Sequence, residues 1–361
     1  MTHRVRVLVA DDSTTVRMRL CEILSSDRQI EVVGQAADGR RAVELCQHLR
    51  PSVVTLDMAM PKLSGAEATE VIMARCPTPI LIVSSSTNRG DLFRTYDALA
   101  AGALDVMDKP RGDEADGVWE RLFLSTVKLV SRVRVVTHLR GRFAHRSLAP
   151  LAPMAASPCP MPPSEHWQPG LVAIGASTGG PAALLEILGQ LPSDFSLPIV
   201  VVVHIAAIFG DGLADWLDNA VPLEVRIAED RAALGQGGRV WLAPADRHLR
   251  VVEGALRLDS GPERHSCRPS VDTLFESVAT EFGPQAIGAL LTGMGRDGAQ
   301  GLLVMRRAGG VTIAQDEPSS VVFGMPREAI TIGAAREVLP LSLVGPRLVE
   351  LAPAPWRRRR P

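Results

Sequence analysis

The chain has 361 residues, 46% of them apolar and 22% charged, with a formal net charge of −1. That is ordinary globular composition with material for two cores, and it lacks the basic field expected of a nucleic-acid or anionic-membrane binder. The longest aliphatic run, "PIVVVVHI", is too short to cross a bilayer, and the acidic pair Asp11-Asp12 arrives before a secretory apolar region could be completed. Five scattered cysteines, Cys21, Cys46, Cys76, Cys159 and Cys267, form no C-x-x-C pair, which fits free thiols in a reducing, cytoplasmic setting and argues against a structural zinc site.

In chain order, "VRVLVA", "IEVVGQ", "SVVTLD", "PILIVS" and "ALDVMDK" read as strands. "TVRMRLCEILSS", "GRRAVELCQHLR" and "AEATEVIMARC" read as the helices between them. Such alternation predicts a parallel sheet covered on both faces, closing near Leu129. Residues 130–169 read as a linker, first basic and then proline-rich, with seven prolines between Ala149 and Pro169. A second α/β region spans 170–349. Its expected strands are "LVAIGA", "PIVVVVH", "LEVRIA", "RVWLAP", "QAIGALLTG" and "GVTIAQ", and its helices "PAALLEILGQ", "VDTLFESVATEF" and "AQGLLVMRRAG", with a hairpin at "HLRVVEGALRLD". Residues 350–361 form an arginine-rich tail, read as a solvated end. The fold class expected is therefore α/β in two domains.

In an open parallel sheet, function gathers at the carboxyl ends of the strands. The first domain ends strand 1 in Asp11-Asp12, strand 3 in Asp57, strand 4 in Ser84 and strand 5 in Lys109. Three carboxylates on one rim repel each other and call for a divalent cation, and oxygen-only ligands suit Mg²⁺. With the metal in place Asp57 could attack a phosphoryl donor, Lys109 would balance the charge and Ser84 would offer a hydrogen bond. "VADDS", "LDMAMPKLSG", "VSSS" and "GALDVMDKP" closely resemble the response-regulator receiver family, a flavodoxin-like fold. The resemblance implies phosphorylation of Asp57 by a sensor histidine kinase. Ala59 and Val106 depart from the family pattern: the first position often carries a polar side chain that sets phosphoryl lifetime, the second is commonly aromatic and moves on activation.

In the second domain, Gly175-Ala176-Ser177-Thr178-Gly179 sits between a strand and a helix. The stretch reads either as a nucleophile elbow or as a phosphate-binding loop. A nucleophilic serine needs a base and an orienting acid; a phosphate loop does not. His204 ends a strand and is the best-placed base, with His248 and His265 read as loop residues. Asp297, in the glycine-rich turn of "LLTGMGRDG", is the best-placed acid, ahead of Asp246, Asp272 and Asp316. A Ser177–His204–Asp297 triad would run in the chain order Ser, His, Asp, with backbone N–H groups of the "STGG" and "GMG" turns available as an oxyanion hole.

Taken together, "IGASTGGP", "VVVHI", "WLAPADRHL", "RPSVDTLFESV", "LLTGMGRDGAQGL" and "AQDEPSSVVFGMPREAI" resemble the catalytic domain of the chemotaxis protein-glutamate methylesterases. The resemblance implies a doubly wound esterase domain with its triad on Ser177, His204 and Asp297, and oxyanion contributions near Thr178 and Met294. It implies hydrolysis of glutamate methyl esters on methyl-accepting chemotaxis receptors, deamidation of receptor glutamines, and release of a block by the receiver when Asp57 is phosphorylated. Mg²⁺ would serve the receiver alone and the esterase chemistry would need no cofactor. The enzyme would work in the cytoplasm at receptor arrays, neither inserting in the membrane nor binding nucleic acid. Val203 stands where the family usually carries a glutamine.

Overall fold

The computed structural model describes residues 4–85, 89–110, 117–133, 135, 169–235 and 237–353. Most of the expected linker, and the tail from 354 onward, lie outside the described residues. The chain separates into two units, residues 1–150 and 151–361.

In the first unit, β1 (Val5–Ala10), β2 (Ile30–Ala36), β3 (Val53–Leu56), β4 (Ile80–Ser84) and β5 (Asp105–Asp108) form a parallel sheet in the order β2-β1-β3-β4-β5. β1, β3 and β4 are interior strands and read as near-continuous apolar runs because helices cover both faces. Local chemistry sets the starts of those helices. Ser13 caps α1 (Thr14–Ser26), Asp38 caps α2 (Gly39–Leu49), and Ser64 with Glu67 forms a reciprocal capping box on α3 (Gly65–Arg75). α4 (Arg89–Ala100) and α5 (Val118–Val130) complete the unit.

The second unit is built on seven parallel strands: β6 (Leu171–Ala176), β7 (Ile199–Val203), β8 (Glu224–Ile227), β9 (Arg239–Leu242), β12 (Ala286–Leu290), β13 (Val311–Gln315) and β14 (Glu337–Leu339). Their order is β14-β13-β12-β6-β7-β9-β8. The chain therefore starts in the middle at β6, winds outward through β7, and later crosses back to place β12 on β6's other side. That reversal is a topological switch point, where a crevice opens at the carboxyl ends of β6 and β12. β10 (His248–Val252) and β11 (Ala255–Asp259) form the expected antiparallel hairpin.

The helices of this unit are α6 (Gly180–Leu188), α7 (Ala207–Ala220), α8 (Val271–Phe282), α9 (Ala299–Arg307), α10 (Met325–Thr331) and α11 (Leu341–Leu351). α8 packs against β6, β12 and the hairpin, with Val271, Leu274, Phe275 and Val278 fully buried in the core. α11 runs two residues past the domain end expected at Val349. Among the described residues no helix is long and apolar enough to cross a membrane.

Removing the Phe275 ring leaves a cavity beneath both β6 and the hairpin, and Phe→Ala in a closed core typically costs ~3–5 kcal/mol. Phe275→Ala is expected to lower the urea midpoint of the second unit correspondingly; a midpoint within error of the wild type would refute this placement of α8.

Candidate active site

Three adjacent strands bring the second unit's candidate side chains to one rim. Ser177 follows β6, His204 follows β7 on one side, and the turn carrying Asp297 follows β12 on the other. The rim is stitched by backbone bonds: His204 N–H donates to Ala176 O at 3.0 Å, and Ser177 N–H donates to Thr292 O at 3.0 Å. The corner is tight because Gly179 takes φ +79°. Gly293 lets the facing turn approach, since a Cβ there would stand 2.7 Å from Ser177 Cβ.

Asp297 is the anchor of the site. It is 2% exposed, and its carboxylate accepts from Ser270 Oγ at 2.8 Å, Val271 N at 2.7 Å, Asp272 N at 3.1 Å and Gly298 N at 3.0 Å. Ser270 is the N-cap of α8, so the carboxylate sits on free N–H groups at the positive end of that helix. Asp297 Oδ2 also lies 2.9 Å from His204 Nε2. Burial pushes the Asp297 carboxyl up, but His204 and the Ser270 and backbone donors outweigh it and hold the group below the usual carboxylate range. Burial likewise disfavours the His204 imidazolium, yet Asp297, together with the Cys267 sulfur, raises His204 to about 9. Because an ionised Asp297 only accepts, Nε2 carries a proton, and Nδ1 is the nitrogen that can take one up.

Nδ1 faces Cys267, whose Sγ lies 3.8 Å away. Ser177 is half-buried, and among the described residues no hydrogen bond joins its hydroxyl to the ring. Catalytic hydrogen bonds commonly form or tighten only when substrate is bound. A cleft of about 440 Å³ opens beside the rim, lined by residues 265–267 and 294–297. Met294 stands half exposed on its wall, while Thr178 is buried and its carbonyl accepts from Thr292 Oγ1 at 2.9 Å. Thr292 in turn takes Val322 N–H on its hydroxyl and gives its own N–H to the buried Gln315 side chain at 2.7 Å, tying the 292–295 turn to the 315–322 segment.

On the first unit, Asp11 and Asp57 are buried and Asp12 is exposed, all three at the carboxyl rim of β1 and β3. Lys109 Nζ lies 2.9 Å from both Asp11 Oδ2 and Asp57 Oδ2. Neither of those oxygens takes a directed hydrogen bond among the described residues, and one oxygen from each of Asp11, Asp12 and Asp57 lies within 4.8 Å of the others. An all-oxygen cluster with acceptors left over is a good fit to Mg²⁺. Burial raises Asp57 above the ordinary carboxyl range, an effect that Lys109 only partly offsets. Ser84 is buried at the end of β4, and its carbonyl accepts from Lys109 N–H at 3.1 Å. Ala59 is exposed and Val106 buried.

The fold thus brings Ser177, His204 and Asp297 to one rim, and Asp11, Asp12, Asp57, Ser84 and Lys109 to another. One reading is corrected. His248 is no loop residue: it opens β10, is 2% exposed, lies 3.0 Å through Nε2 from Pro262 O, and accepts from Ser270 N–H on Nδ1. His265 does lie in a turn, 3.1 Å from the buried Asp272. Asp246 pairs with Arg268, and Asp316 caps its own turn through Ser319. Ser270, Cys267, Thr292 and Gln315 escaped the sequence reading. Ser270 carried a signal, standing just before an apolar-periodic helix in "RPSVDTLFESV"; the others carried none.

One unit with a phosphoacceptor-type acidic rim and another with a hydroxyl, an imidazole and a carboxylate at a switch point define a response regulator with an enzymatic output domain. Comparison with known proteins is specific. The response regulator receiver domain model matches residues 7–115 and the CheB methylesterase model residues 172–348. A protein-glutamate methylesterase/protein-glutamine glutaminase of Myxococcus xanthus is 45% identical over 95% of this chain and 96% of its own length. A second, from Anaeromyxobacter dehalogenans, is 44% identical over 96% and 97%. The crystal structure of the Thermotoga maritima CheB methylesterase catalytic domain is 39% identical, covering 51% of this chain and all of that one, with a TM-score of 0.49. The chain belongs to the CheB methylesterase family, in the form that carries an N-terminal receiver.

Because the folded state holds His204 up at about 9, the imidazolium–carboxylate pair adds stability that is complete below the ordinary histidine value and fades as pH rises through about 9. Two-dimensional NMR of the ring is expected to show titration near 9 in the wild type and at a distinctly lower pH in Asp297→Asn. An unchanged midpoint in that variant would remove Asp297 as the cause.

Proposed function

We propose that this protein is a phosphorylation-activated hydrolase that demethylates glutamate methyl esters on chemoreceptors, releasing methanol, and deamidates receptor glutamines to glutamate. The observation that carries this reading is the His204–Asp297 pair, held at the switch point beside Ser177 by the N-terminus of α8. The family's near full-length agreement supports the substrate class.

In this reading His204 Nδ1 takes the Ser177 proton as Oγ attacks the ester or amide carbon. Asp297 fixes the imidazole tautomer and stabilises the cation as it forms. The oxyanion is met by backbone N–H groups of the Thr178 and Met294 turns, where one lost donor typically costs ~3 kcal/mol of transition-state stabilisation. The imidazolium then gives the Ser177 proton to the leaving oxygen or nitrogen, releasing methanol or ammonia. In the second half His204 takes a proton from water as it attacks the acyl carbon and returns it to Ser177 Oγ, leaving the glutamate carboxylate. Both substrates pass through the same acyl-enzyme, so one site serves both activities.

The receiver supplies control. Asp57 is the phosphoacceptor, Asp11, Asp12 and Asp57 would hold Mg²⁺, and Lys109 and Ser84 would bind the incoming phosphoryl group. When bound, Mg²⁺ neutralises the acidic rim and the charge of that group. A sensor histidine kinase of the chemotaxis system is the physiological phosphodonor, and residues 130–169 serve as the linker between domains 1–129 and 170–349. In this reading the enzyme works in the cytoplasm, on the cytoplasmic helices of the receptor array.

Methanol release from methylated receptor membranes is expected to fall by a factor on the order of 10³ or more in Ser177→Ala. A small phosphodonor with Mg²⁺ is expected to raise wild-type release and leave Asp57→Asn unchanged. An active Ser177→Ala, or equal stimulation of Asp57→Asn, would overturn the assigned roles. Since the neutral imidazole is the base, kcat/KM is expected to climb as pH rises from 7 and to level off above about 9; a flat profile would contradict it.

A further inference from the structure

We propose that Cys267 Sγ and His204 Nδ1 together form a binding site for a soft divalent cation of the zinc class, with Asp297 behind the ring as its orienting carboxylate, and that occupancy silences the hydrolase. The geometry comes first. A tetrahedral zinc ion bonds thiolate sulfur at about 2.3 Å and imidazole nitrogen at about 2.0–2.1 Å, which sets the two ligand atoms about 3.5 Å apart. Cys267 Sγ and His204 Nδ1 stand 3.8 Å apart, so a small side-chain rotation closes the difference.

The ring is also turned the right way. Nε2 is engaged with Asp297 at 2.9 Å, which leaves Nδ1 as the nitrogen directed to the sulfur. A metal-bound histidine characteristically gives its other N–H to a carboxylate, and Asp297 is itself fixed by Ser270 and the first N–H groups of α8. Cys267 lines the cleft of about 440 Å³, so the remaining coordination positions open onto space that water can fill. Thiolate and imidazole favour zinc over magnesium, whereas the Asp11, Asp12 and Asp57 cluster offers only oxygen. The chain therefore holds two cation sites of opposite chemical preference, one needed for activation and one opposed to catalysis.

Binding does not depend on how Ser177 acts. The inhibitory consequence does rest on the reading of His204 as the base, because a metal on Nδ1 removes the lone pair that would take the serine proton.

The test uses full-length Ser177→Ala with Co²⁺ as a spectroscopic probe, displaced by Zn²⁺. We expect a cobalt–thiolate charge-transfer band that is abolished by adding Cys267→Ser and weakened at least ~10-fold by adding His204→Gln. Cys267→Ala, checked by circular dichroism, guards against a variant that misfolds. In otherwise wild-type enzyme, zinc is expected to inhibit methanol release where magnesium does not, and Cys267→Ser is expected to need at least ~10-fold more zinc for the same inhibition. A band that persists without Cys267 would place the metal elsewhere, for example on Cys46 and Cys76 of the first unit, and overturn the proposal. Equal zinc sensitivity of the wild type and Cys267→Ser would overturn it too. A Cys267-dependent band in enzyme that releases no methanol under any condition would uphold the site and sink the functional reading instead.

Discussion

The second unit depends on one buried carboxylate. Asp297 lies on a turn with no regular structure of its own, yet it takes four hydrogen bonds from Ser270, Val271, Asp272 and Gly298 and lies against His204. The free N–H groups of α8 make a buried negative charge tolerable there. In exchange, the carboxylate fixes where α8 begins relative to β12 and which nitrogen of His204 faces the cleft. Fold and site therefore share an interaction: the same contact that starts a core helix also orients the imidazole.

The receiver solves the opposite electrostatic problem. Its carboxylates crowd one rim and Lys109 bridges two of them, at 2.9 Å from each. A single ammonium leaves two buried oxygens without directed hydrogen bonds among the described residues, in keeping with the Mg²⁺ and phosphoryl roles proposed for this rim. In one unit a buried carboxylate is held by hydroxyl and backbone donors; in the other two buried carboxylates share one ammonium.

Much of this was legible in the sequence, because in parallel α/β sheets strand ends and function coincide. Interior strands such as β7, "IVVVV", are apolar on both faces and so announce themselves, and the residue that follows them is placed at the rim by the fold class alone. Ser177, His204 and Asp57 stand at their rims in this way, while Lys109 follows β5, an edge strand bounded by aspartates. Elements with mixed signals were not named: α7 carries Gly210 and Gly212 within its span, α11 contains Pro346, and β14 has only three residues. His248 was misplaced because "DRHL" reads as a polar turn, while the hairpin register buries the ring under Ser270. Cys267 and Gln315 act through contacts made across the fold, at separations that no local pattern encodes.

The proposed mechanism has Ser177 act through a histidine oriented by Asp297, as one unit. Its most direct test is a double-mutant cycle on methanol release, comparing Ser177→Ala, Asp297→Asn and the combined variant. Residues that act as a unit are grossly non-additive, so the double variant is predicted to be no slower than Ser177→Ala alone. Losses that multiply, with the double variant slower than Ser177→Ala by the full factor Asp297→Asn costs on its own, would show that the two residues act independently and would contradict the account.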